Sequence, residues 1–159
     1  MLARPLFFLA LVAAPLASAR PWNGIEPGIT HRDEVVKRFG QPTKTLSVEG
    51  HPVLAYTGAG AIKGTTQAQF RVDPATGLVE RIDVFPGPQV DRDAVESNYG
   101  PPCPAGGPPA NGACFLKKLT EDFRTYYFYP RLGLAVFFDE DGERVQSFVF
   151  QQVKPARVP

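Results

Sequence analysis

The stretch "RDEVVKRFGQP", residues 32–42, returns sixty positions later as "RDAVESNYGPP", residues 92–102. Each copy places apolar residues at helical spacing, Val35 with Phe39 and Val95 with Tyr99, ahead of a glycine and a proline that end a helix. Each predicted helix is only about ten residues long, which is too short to be stable alone in water. Both helices are therefore expected to pack against another part of the chain.

Strand-like segments follow each helix. The first helix is followed by "TKTLSV", "PVLAYT", "TQAQFRVD" and "LVERIDVF", and the second by "ACFLKKL", "FRTYYFYP", "LGLAVFFD" and "ERVQSFVFQ". The sequences "DPATG" and Asp141-Gly142 are turn and hairpin signals between the last two strands of each group. The pattern predicts one helix and four antiparallel strands, twice, over about residues 25–86 and 87–152.

The first nineteen residues have the pattern of a secretory signal peptide. Arg4 is followed by an apolar run from Leu6 to Leu16 and by the small residues Ala17-Ser18-Ala19. The sequence therefore predicts a signal peptide at 1–19, a single domain at 20–159, and a periplasmic or secreted location after cleavage near Ala19. No cysteine stands at the cleavage point, so a lipid anchor on the mature chain is not expected.

The charge of the predicted mature chain is balanced. Removal of Arg4 from the 17 basic residues leaves 16, against 16 acidic ones. Neither a basic face nor a run of Lys and Arg is present, which argues against nucleic acid as a partner. No integral membrane segment is predicted in the mature chain.

Cys103 and Cys114 are the only two cysteines. They flank "PAGGPPANGA", which is too rich in proline and glycine to order itself by packing, and export would place them in an oxidising compartment. A metal pair is the competing interpretation, but no histidine or third cysteine lies nearby in zinc-site spacing. The sequence predicts a disulfide.

Two motifs resemble those of known modules. "PGITHRDEVVKRFGQP" resembles the opening of the outer-membrane assembly lipoproteins of the small-protein-A type, and "YFYPRLGLAVFFDEDGERVQSFVF" is similar to their closing strand meander. Two such units in tandem resemble the β-lactamase-inhibitor-protein fold. The resemblance implies an α+β fold, with two tandem helix-plus-four-strand repeats sharing one antiparallel sheet and helices on one face.

Residues with catalytic or ligand-binding patterns are scarce. His31 lies in the first turn of a predicted helix and His51 in a turn before Pro52, and neither has a nearby cysteine or carboxylate pair in metal-ligand spacing. Nucleophile elbows, phosphate-binding loops and zinc-protease motifs are not found. We therefore predict no catalytic residue, no metal and no cofactor. An enzyme is the third-ranked alternative, through carboxylates that the fold brings together.

Ten of the eighteen aromatic residues fall between Phe115 and Phe150. Gly77 and Val84-Phe85 recur 65 positions later as Gly142 and Val149-Phe150. Comparison of matching strands places Phe137, Phe148 and Phe150 on the face away from the helices, where the first group has Arg71, Asp83 and Phe85. Two interpretations stay open: another segment of the chain covers these rings, or they form an exposed partner-binding patch.

The function predicted from these features is an exported, non-enzymatic protein-binding module, an envelope-associated adaptor of the outer-membrane assembly lipoprotein type. The alternative is a secreted protein inhibitor of an extracellular or periplasmic enzyme. Phe137, Phe148 and Phe150 are the candidate partner-binding residues, and the partner is an unidentified protein.

Overall fold

The computed structural model describes residues 19–109 and 112–153, so nearly all of the predicted signal peptide lies outside the described residues. Within these ranges lie two α-helices, one turn of 3-10 helix at Gly58–Gly60, and eight strands. The helices are α1 (Arg32–Phe39) and α2 (Arg92–Tyr99). The strands are β1 (Lys44–Val48), β2 (His51–Thr57), β3 (Thr65–Val72), β4 (Val79–Pro86), β5 (Leu116–Leu119), β6 (Thr125–Tyr129), β7 (Leu134–Phe138) and β8 (Val145–Gln151).

All eight strands form one antiparallel sheet in the order β1-β2-β3-β4-β8-β7-β6-β5. Strands β4 and β8 pair at its centre, with Ile82 opposite Phe150 and Val84 opposite Phe148. Because directly opposite residues share a face, this pairing joins the apolar surfaces of the two ends of the sheet into one.

The core lies on a single face of this sheet. Both helices pack there through their fully buried residues, Val35 and Val95. The strand residues on this side, which we name the helix-covered face, include Leu54, Phe70 and Ile82 in one cluster with those valines. The residues that alternate with them point to the opposite side, which we name the open face. Among the described residues, neither helix packs on the open face.

The predicted fold class, α+β with two tandem helix-plus-four-strand repeats, is wrong. The molecule is built around one eight-stranded antiparallel sheet, and its two helices have only eight residues each. The expected boundary between residues 86 and 87 does not divide the structure, because β4 pairs with β8 and one core spans both ends of the sheet. The sequence pattern overstated the helices, each of which contributes one fully buried side chain.

Two tyrosines tie the ends of the helices to the sheet. The Tyr56 hydroxyl donates to the carbonyl of Gly40 at 2.9 Å, and the Tyr129 hydroxyl donates to that of Gly100 at 3.1 Å. Gly100 has a φ of 122°, and a Cβ there would lie 2.2 Å from the carbonyl oxygen of Ala113. Only glycine fits this close approach without a shift of the backbone.

The predicted disulfide between Cys103 and Cys114 is present, with the two Cα atoms 4.8 Å apart. Beside it, Cys103 N–H donates to the carbonyl of Phe115 at 2.9 Å, and Phe115 N–H donates to that of Pro101 at 3.0 Å. The bridge therefore holds residues 101–103 against the start of β5. Within the described ranges, the two helices are both too short to cross a membrane.

Candidate functional site

The open face has two parts that carry different kinds of side chain. On this face β3 and β4 carry mainly charged and amide side chains, β1 adds the exposed Leu46 and Val48, and the β5–β7 half carries aromatic ones. Along its floor lie small residues that are buried, namely Val53, Ala55, Ala135 and Val149. The sequence alternation of each strand determines this division, because every second side chain points to the open face.

The polar half has its charges paired internally. Arg81 donates to both carboxylate oxygens of Asp83, at 2.6 and 2.8 Å, and this hydrogen bond raises the pKa of Arg81. Arg71 Nε lies 2.7 Å and His51 Nδ1 2.8 Å from Oε1 of Glu80, both in ion-pair contact without the alignment of a hydrogen bond. A partner that docked here would have to replace interactions that already exist.

The rings of the aromatic half are partly exposed to solvent. We name Tyr126, Phe128 and Phe137, all half-buried on the open face of β6 and β7, the aromatic patch. Tyr126 and Phe137 stack with their ring centroids 4.9 Å apart, and Lys118 Nζ lies 5.0 Å from the centroid of Phe128. A depression of about 400 Å³ lies over this patch and reaches β5.

Beside the patch, the β5–β6 turn (residues 120–124) holds a phenylalanine in an unusual conformation. Phe123 is 81% exposed and has a φ of 60°, in the left-handed region that a bulky side chain rarely adopts. Leu119, at the end of β5, is 59% exposed. Leu119 and the turn residues Thr120 and Glu121 line the depression over the aromatic patch, and Phe123 is exposed on the same turn outside that lining.

Hydrogen bonds from side chains fix this turn. The Thr120 hydroxyl accepts from Arg124 N–H at 2.9 Å and donates to Asp122, and Arg124 Nε donates to Asp122 at 2.7 Å. The Thr120 hydroxyl, and after it Arg124, holds the pKa of Asp122 below its usual range. Because these contacts fix the backbone on both sides of Phe123, they maintain its left-handed conformation.

The structure separates the three predicted binding residues. Phe137 lies on the open face within the aromatic patch. Phe148 and Phe150 lie on the helix-covered face, opposite Val136 and Leu134 of β7, and Phe150 is only 3% exposed. The expectation that all three share a face away from the helices is therefore corrected. Whether Phe137 binds a partner stays a prediction.

The sequence pattern did not identify Phe123, Tyr126 and Phe128 as surface residues. It placed Phe123 inside a strand, although "TEDFRT" contains a Thr and an Asp that are typical of a hydrogen-bonded turn. Tyr126 and Phe128 alternate with the buried Tyr127 and Tyr129, so strand periodicity separates the two faces of β6 once one buried residue is known.

Comparison with known proteins gives one informative likeness. No protein-family model matches the chain, and no curated protein matches its sequence. The fold is similar to the crystal structure of a DUF4309 family protein, YjgB, from Bacillus subtilis. The two share 13% sequence identity with a TM-score of 0.51, over 82% of this chain and 83% of that one. At this identity the likeness shows a shared fold alone.

Proposed function

We propose that this protein is an exported, non-enzymatic protein-binding module, periplasmic or secreted, that engages its partner through the aromatic patch and the β5–β6 turn. Its class is an envelope-associated adaptor of the outer-membrane assembly lipoprotein type. The observation that supports this proposal most directly is Phe123, a ring 81% exposed on a turn that hydrogen bonds hold in a left-handed conformation.

Exposed aromatic rings next to a depression have the composition of binding hot spots. Tyr and other aromatic residues dominate the energy of protein interfaces, and they act most strongly where neighbouring groups exclude water. The stacked pair of Tyr126 and Phe137 supplies a broad apolar floor, and Phe123 and Leu119 stand at its margin. A turn that is already fixed loses little conformational entropy when it binds, so more of the contact energy appears as affinity.

The charges beside the patch indicate the chemistry of the partner. Lys118 is exposed on the open face of β5, lines the depression together with Glu121, and forms no ion pair among the described residues. The partner surface therefore combines an apolar cavity for Phe123 with a carboxylate placed to meet Lys118. The polar half of the open face contributes less, because its arginines are already paired.

The β5–β6 turn also favours the alternative function, a secreted inhibitor of an extracellular or periplasmic enzyme. A single ring at the tip of a fixed turn is suited to insertion into the cleft of an enzyme, since preorganisation lowers the cost of filling it. The adaptor and the inhibitor use the same residues in this proposal, and the identity of the bound protein distinguishes them.

A capture experiment with matched variants tests the proposal. The mature chain is immobilised and exposed to an envelope extract, beside Phe123→Ser and a control, Ile29→Ser. Ile29 is a large apolar residue with 62% exposure, and it lies before α1 rather than on the open face. We expect the wild type and the control to retain the same protein, with affinity for Phe123→Ser at least about thirtyfold weaker, as for a hot-spot aromatic.

Capture of a protein does not by itself support the proposal, because the loss of affinity must be specific to the substitution of Phe123. Equal affinity of all three chains for the retained protein contradicts it, and so does equal loss in the control. If the specificity is observed, mass spectrometry identifies the partner. An outer-membrane assembly component supports the adaptor, and a hydrolase whose activity falls on binding supports the inhibitor.

A further inference from the structure

The segment before α1 forms a fixed arm on the helix-covered face. Trp22 and Ile25 exchange two backbone hydrogen bonds of 2.9 Å around Asn23 and Gly24, which have φ values of 47° and 78°. Left-handed residues at both central positions are typical of a tight two-residue turn. The arm places the Trp22 ring 6.1 Å from that of Phe39 and 6.0 Å from that of Phe70.

A groove runs beside this arm, between the C-terminal ends of the two helices. Two cavities of about 540 and 240 Å³ share Asn23 and Lys63 in their lining, so they are two parts of one groove. In the smaller part, the rings of Trp22 and Tyr99 lie beside Val84, Phe148 and Phe150 of the central strands, and polar groups contribute about half of its surface. The larger volume falls within the range of small-molecule sites.

The charge of this groove differs from that of the whole protein. Arg38 and Lys63 line it, and every other lining residue is uncharged. At its apolar end the guanidinium of Arg20 lies 4.9 Å from the centroid of the Tyr99 ring. Within the described ranges, neither Arg38 nor Lys63 forms an ion pair with a carboxylate. A chain with 17 basic and 16 acidic residues thus has a groove whose charged lining residues are all cationic.

The position of Arg38 is determined by the arm. Its guanidinium packs over Gly24, where a Cβ would lie 2.9 Å from Arg38 Cζ. The flat contact is possible because Gly24 lacks a side chain, and it holds the cation at the mouth of the larger cavity. The groove therefore combines a positioned cation with an apolar cleft.

We infer that this groove binds a small amphipathic anion, a carboxylate attached to an apolar chain or ring. Lys63 and Arg38 would receive the carboxylate, while the apolar part lies between Trp22 and Tyr99 over Phe148. The argument is one of complementarity: the aromatic cleft favours an apolar group, and two cations without a protein carboxylate favour an anion. The groove is on the face opposite the aromatic patch, so this inference does not rest on the proposed function.

Trp22 is the only tryptophan in the chain, so its fluorescence reports on the groove. We would titrate the mature protein with decanoate below its micelle concentration and with methyl decanoate, which has the same chain without the charge. Calorimetry under the same conditions detects any binding that leaves the fluorescence unchanged. The expected result is saturable binding of decanoate, with the methyl ester at least about tenfold weaker, as for the loss of one charged interaction.

Two variants test the role of the cations. Arg38→Gln with Lys63→Gln is expected to weaken decanoate binding at least about tenfold and to leave the methyl ester unaffected. Lys44→Gln with Lys117→Gln removes the same number of charges from exposed strand positions outside the groove and is expected to change neither affinity. The inference is overturned if acid and ester bind equally, if the groove variant retains full affinity, or if neither method detects binding.

Discussion

The hydroxyl of Tyr129 donates a hydrogen bond to the backbone carbonyl of Gly100 at 3.1 Å, across 29 residues of chain. Tyr129 is fully buried on β6, and Gly100 follows the last residue of α2. The bond therefore satisfies a carbonyl at the end of the helix and fixes the position of α2 on the sheet. Tyr56 and Gly40 form the corresponding contact at the end of α1.

Substitution Tyr129→Phe removes this hydrogen bond and keeps the ring. We expect the free energy of unfolding to fall by about 1–2 kcal/mol, because a carbonyl in the interior loses its partner. Tyr126→Phe is the control, since Tyr126 contacts Phe137 by stacking of its ring; it should change stability by less than about 0.5 kcal/mol. Denaturant unfolding measures both values. Equal effects of the two substitutions would contradict the assigned role of the Tyr129 hydroxyl.

Ionisation of Tyr129 makes stability depend on pH in the alkaline range. Burial raises its pKa well above the ordinary tyrosine value of 10.0, so the folded protein retains the proton that the unfolded chain releases. The contribution to stability is complete below pH 10 and is lost as the pH rises through the folded-state pKa. We expect unfolding free energies measured at successive pH values to decline above pH 10, and to decline less steeply in Tyr129→Phe. The same slope in both chains would exclude Tyr129 as its source.

The bridge between Cys103 and Cys114 provides another prediction. It closes a sequence separation of 11 residues, for which the chain-entropy relation gives about 3 kcal/mol of stability. We expect the double variant Cys103→Ala, Cys114→Ala to lose about this amount in denaturant unfolding. Thiol titration of the unfolded, unreduced wild type should find no free thiol. Two reactive thiols would show that the cysteines are not paired in the protein as it is made.

The conformation of Phe123 predicts a gain in stability from an unusual substitution. A left-handed φ costs a non-glycine residue about 1 kcal/mol, whereas glycine adopts it freely. Phe123→Gly should therefore raise the free energy of unfolding by up to about 1 kcal/mol while it removes the exposed ring. Phe123→Val, which keeps an apolar side chain but is branched at Cβ, should lower it. If Phe123→Gly instead destabilises the protein, the ring makes a stabilising contact that its exposure does not indicate.

The sequence predicts the positions of the strands better than it predicts the face of the sheet on which each side chain lies. Each predicted strand segment overlaps an observed strand, because alternation and turn residues act locally. The face on which each β8 side chain lies depends on whether the preceding hairpin is counted with one residue more or fewer. Val79 N–H bonds to Thr30 and Val145 N–H to Val90, so these two valines correspond at an offset of 66. An offset of 65, taken from Gly77 and Gly142, reverses every side chain of β8.

The pairing order of the strands in the sheet could not be predicted from the local sequence pattern either. The pairing of β4 with β8 brings together residues that are more than sixty positions apart, and nothing in either strand alone specifies its partner. The cationic groove has a similar origin, since Arg38 and Lys63 meet there only because the arm, α1 and the loop before β3 converge. Sequence spacing gives no indication of that meeting.

Paired substitutions at Phe137 and Phe148 test the corrected assignment of faces. Phe148→Asp would bury a carboxylate against Tyr99, whose ring lies 6.0 Å from that of Phe148, on the helix-covered face. Phe148 is half-buried and lines the groove together with Lys63, which offsets part of the desolvation cost, so the variant should lose about 2 kcal/mol. Phe137→Asp on the open face loses its stacking on Tyr126 but leaves the new charge accessible to water, so it should cost about 1 kcal/mol. Thermal and denaturant unfolding measure both variants. If Phe148→Asp folds as stably as the wild type while Phe137→Asp does not, then β8 presents the opposite face to the helices, and Phe148 and Phe150 return to the open side of the sheet as candidates for partner binding.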